Sequence, residues 1–147
     1  VKRPGGIDHQ PCHLIDIMAT CLDAAGTEYP AQYEGRRLAP AEGISLLPLA
    51  EGRRLPVRPI FAEHEGNRMV RLGRWKLVAS YYNGQRWELY DIAHDRTEQH
   101  DLSARHPRRV ARMAQLYFRW ADANGVLPYP QLMNEYGGQQ MKIYNER

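Results

Sequence analysis

The chain has 147 residues, 43% of them hydrophobic and 25% charged, which suits one ordinary domain with a core and argues against a disordered chain. The net charge of +3 is mild, with 17 acidic residues interspersed among 20 basic ones. That balance disfavours a nucleic-acid binder, which concentrates its basic residues on one face. No apolar run approaches the ~18 residues of a membrane span. No signal peptide is visible, and the chain opens on the loop-like Val1-Lys2-Arg3-Pro4-Gly5-Gly6. This reads as a beginning in mid-protein, so location stays open, with periplasmic or extracellular placed ahead of cytoplasmic.

In chain order, Leu14, Ile17, Met18, Cys21, Leu22 and Ala25 recur at helical spacing, bounded by Pro11 and Gly26. They predict a helix from about 11 to 25. Cys12 and Cys21, on one helix, would lie about 13 Å apart along its axis and read as free structural thiols. Residues 27–57 carry Pro30, Pro40, Pro48, Pro56, Gly35, Gly43 and Gly52. They read as an irregular connector with at most a short helical turn near Ser45 to Leu49.

Strands follow. Pro59 to His64, Arg68 to Leu72, Trp75 to Tyr82 and Trp87 to Ile92 form an antiparallel meander, with Asn83-Gly84 as a tight hairpin. Trp75 and Trp87 would be near cross-strand neighbours. A second helix runs from Pro107 to about Asn124. Its apolar stripe is Val110, Met113, Ala114, Tyr117, Trp120 and Ala121, and Gly125 follows. This stripe should cover one face of the sheet, burying Trp75, Trp87 and Trp120. Arg105, Arg108, Arg109 and Arg112 read as a solvated helix face. The stretch from 126 to 147 reads as an extended arm.

Three stretches in this order resemble the C-terminal part of arylsulfatases. The first is His13 to Asp23, followed by Ala25-Gly26. The second is Glu63-His64-Glu65-Gly66-Asn67-Arg68, then Val70-Arg71 and Gly73-Arg74-Trp75-Lys76-Leu77-Val78. The third is Glu88-Leu89-Tyr90-Asp91-Ile92, then Asp95, Glu98 and Asp101-Leu102, with Arg96 and Asp101 where the family usually has Pro and Asn.

The resemblance implies an α+β fold, a small antiparallel meander of three to four strands packed by a C-terminal helix. Residues 1–57 would then end the large alkaline-phosphatase-like domain, 58–125 would form the sheet-and-helix subdomain, and 126–147 a tail. It implies a sulfuric ester hydrolase as the parent, acting on small-molecule or sugar sulfate esters with a formylglycine nucleophile and calcium. Both of these belong to the missing N-terminal domain, which would be the fragment's partner. Neither cysteine fits the Cys/Ser-x-Pro/Ala-x-Arg precursor: Cys12 is followed by His13-Leu14 and Cys21 by Leu22-Asp23. No catalytic residue and no metal ligand is therefore expected in this chain, and the fragment alone should be inactive.

The candidate substrate-lining residues are His64, Asn67 and Arg68, at a strand end beside Gly66 where a loop can reach a neighbouring site. Two readings stand side by side. In one, His64 and Asn67 contact the organic part of the ester. In the other, His64 fixes a turn by hydrogen bonding while Glu65 and Arg68 pair on the surface. His9 and His13 lack a third ligand for a metal, and His94, His100 and His106 lie in a charged turn. A different class of function, a standalone binding module using the basic helix and aromatic sheet, leaves residues 1–57 without a purpose.

Overall fold

The computed structural model describes residues 4–131, 133 and 134. The chain divides into two compact units with the boundary between Val57 and Arg58.

In the first unit, helix α1 spans Asp16–Ala24, five residues later than Pro11 suggested. A reciprocal cap sets the start. The His13 N–H donates to Asp16 Oδ2 at 2.7 Å, and the Ile15 N–H donates to His13 Nδ1 at 3.4 Å. Asp16, the first residue of the helix, thus bonds back to the segment that leads into it. It is fully buried, and its Oδ1 accepts the Ile44 N–H at 3.0 Å. Thr20 Oγ1 accepts the Leu46 N–H at 2.9 Å, so two side chains of α1 hold the connector. Gly43 passes so close that a Cβ there would lie 2.5 Å from the Ile15 carbonyl oxygen. Leu14, Ile17 and Met18 of the expected stripe are exposed, as are both free cysteines.

The connector holds more structure than its composition suggested. Strands β1 (Gln32–Tyr33) and β2 (Arg36–Arg37) form a small antiparallel hairpin. Glu34 and Gly35 both take positive φ, 48° and 75°, as a two-residue turn between right-twisting strands requires. Helix α2 is the short turn Leu47–Ala50, with Pro48 in its first turn.

The second unit is a four-stranded antiparallel meander, β3 (Pro59–His64), β4 (Asn67–Leu72), β5 (Trp75–Ala79) and β6 (Trp87–Asp91), in sequential order. Register places Phe61, Val70, Leu77 and Leu89 in one row across all four strands. Side chains alternate across a sheet, so this row defines one face. Helix α3 (Pro107–Ala123) covers it with Met113, Ala114, Tyr117 and Ala121, all buried with Val70, Leu77 and Leu89. Phe61 and Trp120 stack at 5.1 Å, and Trp87 meets Tyr117 edge-on at 5.6 Å. Trp75, Trp87 and Trp120 are partly buried against this core. This is the α+β meander with one helix that the sequence indicated.

Two expectations fail locally. Trp75 pairs with Asp91 and Trp87 with Ala79, so the two indoles stand at opposite ends of the β5–β6 ladder. Asn83-Gly84 is not a tight hairpin either. Pairing stops at Ala79, and Tyr81–Asn83 form a 3-10 turn capped by Ser80 Oγ, which accepts the Tyr82 N–H. The two-residue turns are Glu65-Gly66 and Gly73-Arg74 instead. Beyond α3, residues 129–131, 133 and 134 are helical rather than extended, while 132 and 135–147 of the expected arm lie outside the described residues. No described helix is long and apolar enough to cross a membrane.

Among the described residues no strand lies beyond edge strand β6, and the following loop bonds to it instead. Asp101 Oδ1 accepts the Leu89 N–H at 3.0 Å, and the Leu102 N–H donates to the Leu89 carbonyl at 2.8 Å. Partial burial pushes the Asp101 carboxyl up. The N–H groups of Leu89 and Ser103, with the Ser103 hydroxyl, outweigh it and hold the pKa below the usual carboxylate value. A depressed pKa in the fold stabilises it above the unfolded carboxylate value of about 3.9, and that contribution is lost as pH falls. Asp101→Ala should cost about 1 kcal/mol at pH 7. Asp101→Asn keeps one acceptor oxygen and should cost less. Thermal unfolding from pH 6 to pH 3 checks this: the gap between wild type and Asp101→Asn should narrow as the pH drops.

Candidate functional site

The face of the sheet away from α3 carries the alternate residues. Ala62, Met69, Val78 and Glu88 form one row, flanked by the His64–Asn67 pair and by Lys76 opposite Tyr90. All of these but Tyr90, together with Ser80, Glu63, Arg68 and Ala79, line a pocket of about 290 Å³. Its floor is apolar and its rim polar, the usual composition of a small-molecule cleft.

The turn beside the pocket is fixed by strained backbone. Glu65 and Gly66 take φ of 51° and 81°. A Cβ on Gly66 would lie 2.8 Å from the Tyr129 Cβ, so glycine is required both for the turn and for the close approach. Glu63 Oε1 accepts the Gly66 N–H at 2.8 Å. Asn67 ties two elements together: its Nδ2 donates to the His64 carbonyl at 3.0 Å, and its Oδ1 accepts the Tyr81 N–H at 3.2 Å. Tyr81 packs edge-on against Tyr129 at 4.6 Å. Loss of hydration pushes the Tyr129 phenol up, with the Glu65 carboxylate adding to it.

His64 differs from its neighbours. Its side chain is 86% exposed, and its ring makes no hydrogen bond among the described residues; Glu65 Oε2 lies 4.0 Å from Nε2. The other charged groups on this face are engaged. Lys76 Nζ pairs with Glu98 at 2.5 Å, and Glu88 accepts the Tyr90 hydroxyl at 3.0 Å and pairs with Arg86 at 3.1 Å. Burial first, then the Glu88 carboxylate, pushes the Tyr90 hydroxyl up to about 12.

His64 and Asn67 are therefore register partners on one face. Arg68 lines the same pocket, though from the opposite parity on β4. Its side chain lies on the helix side, donating to Gln85 Oε1 at 2.5 Å with its guanidinium 5.8 Å from the Tyr117 and Phe118 ring centres. It makes no pair with Glu65. Residues not singled out from the sequence, Met69, Val78, Ser80 and Glu88, complete the pocket. Their signal was parity. Once Glu65-Gly66 is a two-residue turn, every second residue of β4 and its partners must share the His64 face.

A four-stranded antiparallel sheet with one helix on a single face is the architecture of the C-terminal region of sulfatases, and the chain's sequence is similar to theirs. An uncharacterized sulfatase of Schizosaccharomyces pombe is 25% identical over 134 residues, covering 87% of this chain and 24% of that protein. A crystal structure assigned as a sulfatase from Bacteroides thetaiotaomicron VPI-5482 is 27% identical over 74% of this chain and 24% of its own, with a TM-score of 0.52. A third protein, solved with its substrate D-glucosamine-2-N,6-O-disulfate, superposes with a TM-score of 0.56 at 22% identity, over 78% of this chain and 25% of its own. The chain thus spans about a quarter of the length of the proteins it matches. No family model matches it.

Asn67 acts here as a clip between the turn and the 3-10 segment. Asn67→Ala should cost about 0.5–1.5 kcal/mol. The same change should speed amide exchange at Tyr81 while leaving Leu77 protected, as hydrogen-exchange NMR would read.

Proposed function

We propose that this chain is the C-terminal part of a sulfuric ester hydrolase, and that its His64 face lines the entrance taken by the organic part of the ester. The observation that carries this is the unoccupied bonding capacity of the His64 ring above an apolar-floored pocket. A turn-forming histidine would use its ring nitrogens on the turn. Here Glu63 and Asn67 supply the turn's bonds instead. Similarity to sulfatases supports the reaction class.

Cleaving a sulfate ester needs an activated nucleophile and positive charge facing the developing oxyanions. The resemblance assigns these to a formylglycine and a calcium ion. The residues described here fit neither. They contain no group of three or more His, Cys, Asp or Glu side chains that could hold a metal ion, and neither cysteine has the precursor motif. No bond-breaking step is therefore assigned to this chain. Its contribution is binding. A neutral imidazole donates from one nitrogen and accepts at the other, so His64 can hold a hydroxyl or ester oxygen of a sugar or other small sulfate ester. Ala62, Met69 and Val78 offer an apolar surface beside it.

Purified alone and given calcium, the chain should hydrolyse no chromogenic aryl sulfate; turnover abolished by a point change within these residues would overturn that. In the whole protein, His64→Ala should lower kcat/KM about five- to hundred-fold, with the melting temperature nearly unchanged. A drop of several degrees with unaltered activity per folded molecule would instead make His64 a turn-former.

A further inference from the structure

A second cavity, of about 280 Å³, lies on the helix side of the sheet. It is lined by Leu72, Trp75, Arg108, Arg109, Arg112 and Met113. Three guanidiniums thus edge an apolar floor, where the sequence suggested only a solvated helix face. We propose that this groove binds the sulfate group of a polysulfated saccharide chain. The choice of sulfate rests on the sulfatase reading above; the anion site itself does not.

Arg109 lies over the Trp75 ring, 4.2 Å from its centre. Arg74 approaches the same ring at 5.3 Å and His106 meets it edge-on at 5.2 Å. Stacking holds the Arg109 plane in place while leaving its N–H edge free, which pre-organises it for a planar or tetrahedral oxyanion. The two kinds of arginine differ in charge balance. Arg74 is paired with Asp91. Arg108, Arg109 and Arg112 have no carboxylate partner among the described residues, and no acidic residue lines the groove.

Beyond the Arg109 stack on Trp75, no carboxylate rewards this placement. The first turn of α3 has no acidic residue. Arg108 and Arg109 therefore stand at the positive end of the helix dipole, where anions are favoured. Arg108 and Arg112 are also like charges four residues apart, a repulsive spacing on a helix. Unrelieved repulsion facing a concave, apolar-floored space is relieved by one bound anion. A tetrahedral oxyanion has enough oxygens to engage more than one fork. The volume sits at the low end for small-molecule clefts, room for one anionic group and part of the ring that bears it.

The test is calorimetric binding to the full chain of a sulfated heparin-derived tetrasaccharide, its desulfated counterpart, inorganic sulfate, and a single-stranded oligonucleotide of equal charge. The sulfated tetrasaccharide should bind tightest and the desulfated one not at all. Arg109→Ala and Arg112→Ala should each weaken binding about three- to ten-fold. Arg119→Ala, exposed on the same helix but outside the groove, should change it less than about two-fold. Arg112→Ala should melt no lower than wild type, because it removes repulsion, whereas Arg109→Ala also loses its stack on Trp75. Equal losses at Arg119, or absent binding, would overturn the site. Tighter binding of the oligonucleotide would replace saccharide by nucleic acid, and full competition by inorganic sulfate at equal concentration would make the free ion the ligand. Arg109-dependent binding by this chain, with no sulfate ester cleaved by the whole protein that contains it, would keep the site and remove the hydrolase reading.

Discussion

The second unit depends on how its last strand is finished. β6 is an edge, with its outward N–H and C=O groups open to water or to a foreign strand. Asp101 and Leu102 close it at Leu89, the residue that completes the Phe61–Val70–Leu77–Leu89 row under α3. The link carries two consequences. It holds Leu89 where Tyr117 and Met113 can pack, and it turns the chain toward Pro107, where α3 begins. Loosening the link would therefore loosen both the edge and the approach of the helix.

The stretch from Glu88 to Leu102 is built around this closure, and its acidic residues have structural duties. Asp91 pairs with Arg74 at the β4–β5 turn. The Asp95 carboxylate accepts the N–H groups of Gln99 and His100, which hold its pKa below the usual range. Glu98 reaches back to Lys76 on β5. Side chains with such partners have little freedom for chemistry. A short run of charged residues in a loop can suggest an active site, yet here the charges solve the problem of an unpaired strand. Asp101 can stand where the family usually has Asn because the bond to Leu89 needs only one acceptor oxygen.

The sheet, the helix stripe and the limits of α3 were legible because each rests on a periodic signal or a local stop. The stripe from Val110 to Ala121 lies where a 3.6-residue period puts it, and Gly125 follows with φ of 64°. Features set by particular side-chain bonds were not legible. The start of α1 is decided by Asp16 bonding back to His13, and the β5–β6 connection by Ser80 capping a 3-10 turn ahead of Asn83-Gly84. The Trp75–Trp87 pairing failed for the same reason. Seven residues, 80–86, separate the paired positions Ala79 and Trp87, so the ladder is displaced from the tight-turn register. His64 and Asn67 come together through their turn. Arg68 lines the pocket too, but its guanidinium runs to the helix side because adjacent strand residues point to opposite faces.

The same alternation gives the sheet two unlike surfaces. On one, the Val70 row is sealed under α3 with no solvent exposure at Val70, Leu77 or Leu89. On the other, Ala62, Met69 and Val78 stay partly open beside an imidazole that makes no hydrogen bond among the described residues. A sheet stabilised by one covered face leaves its second face free of packing demands. Substitutions at His64 then need not disturb the core, whereas Arg68, one residue past Asn67, touches Tyr117 and Phe118 and cannot vary so freely. Residues on the open face can vary while the latch at Leu89 and the aromatic layer under α3 hold the fold. That separation is what the pairing of His64 with Asn67, and of Phe61 with Val70, builds into a single hairpin.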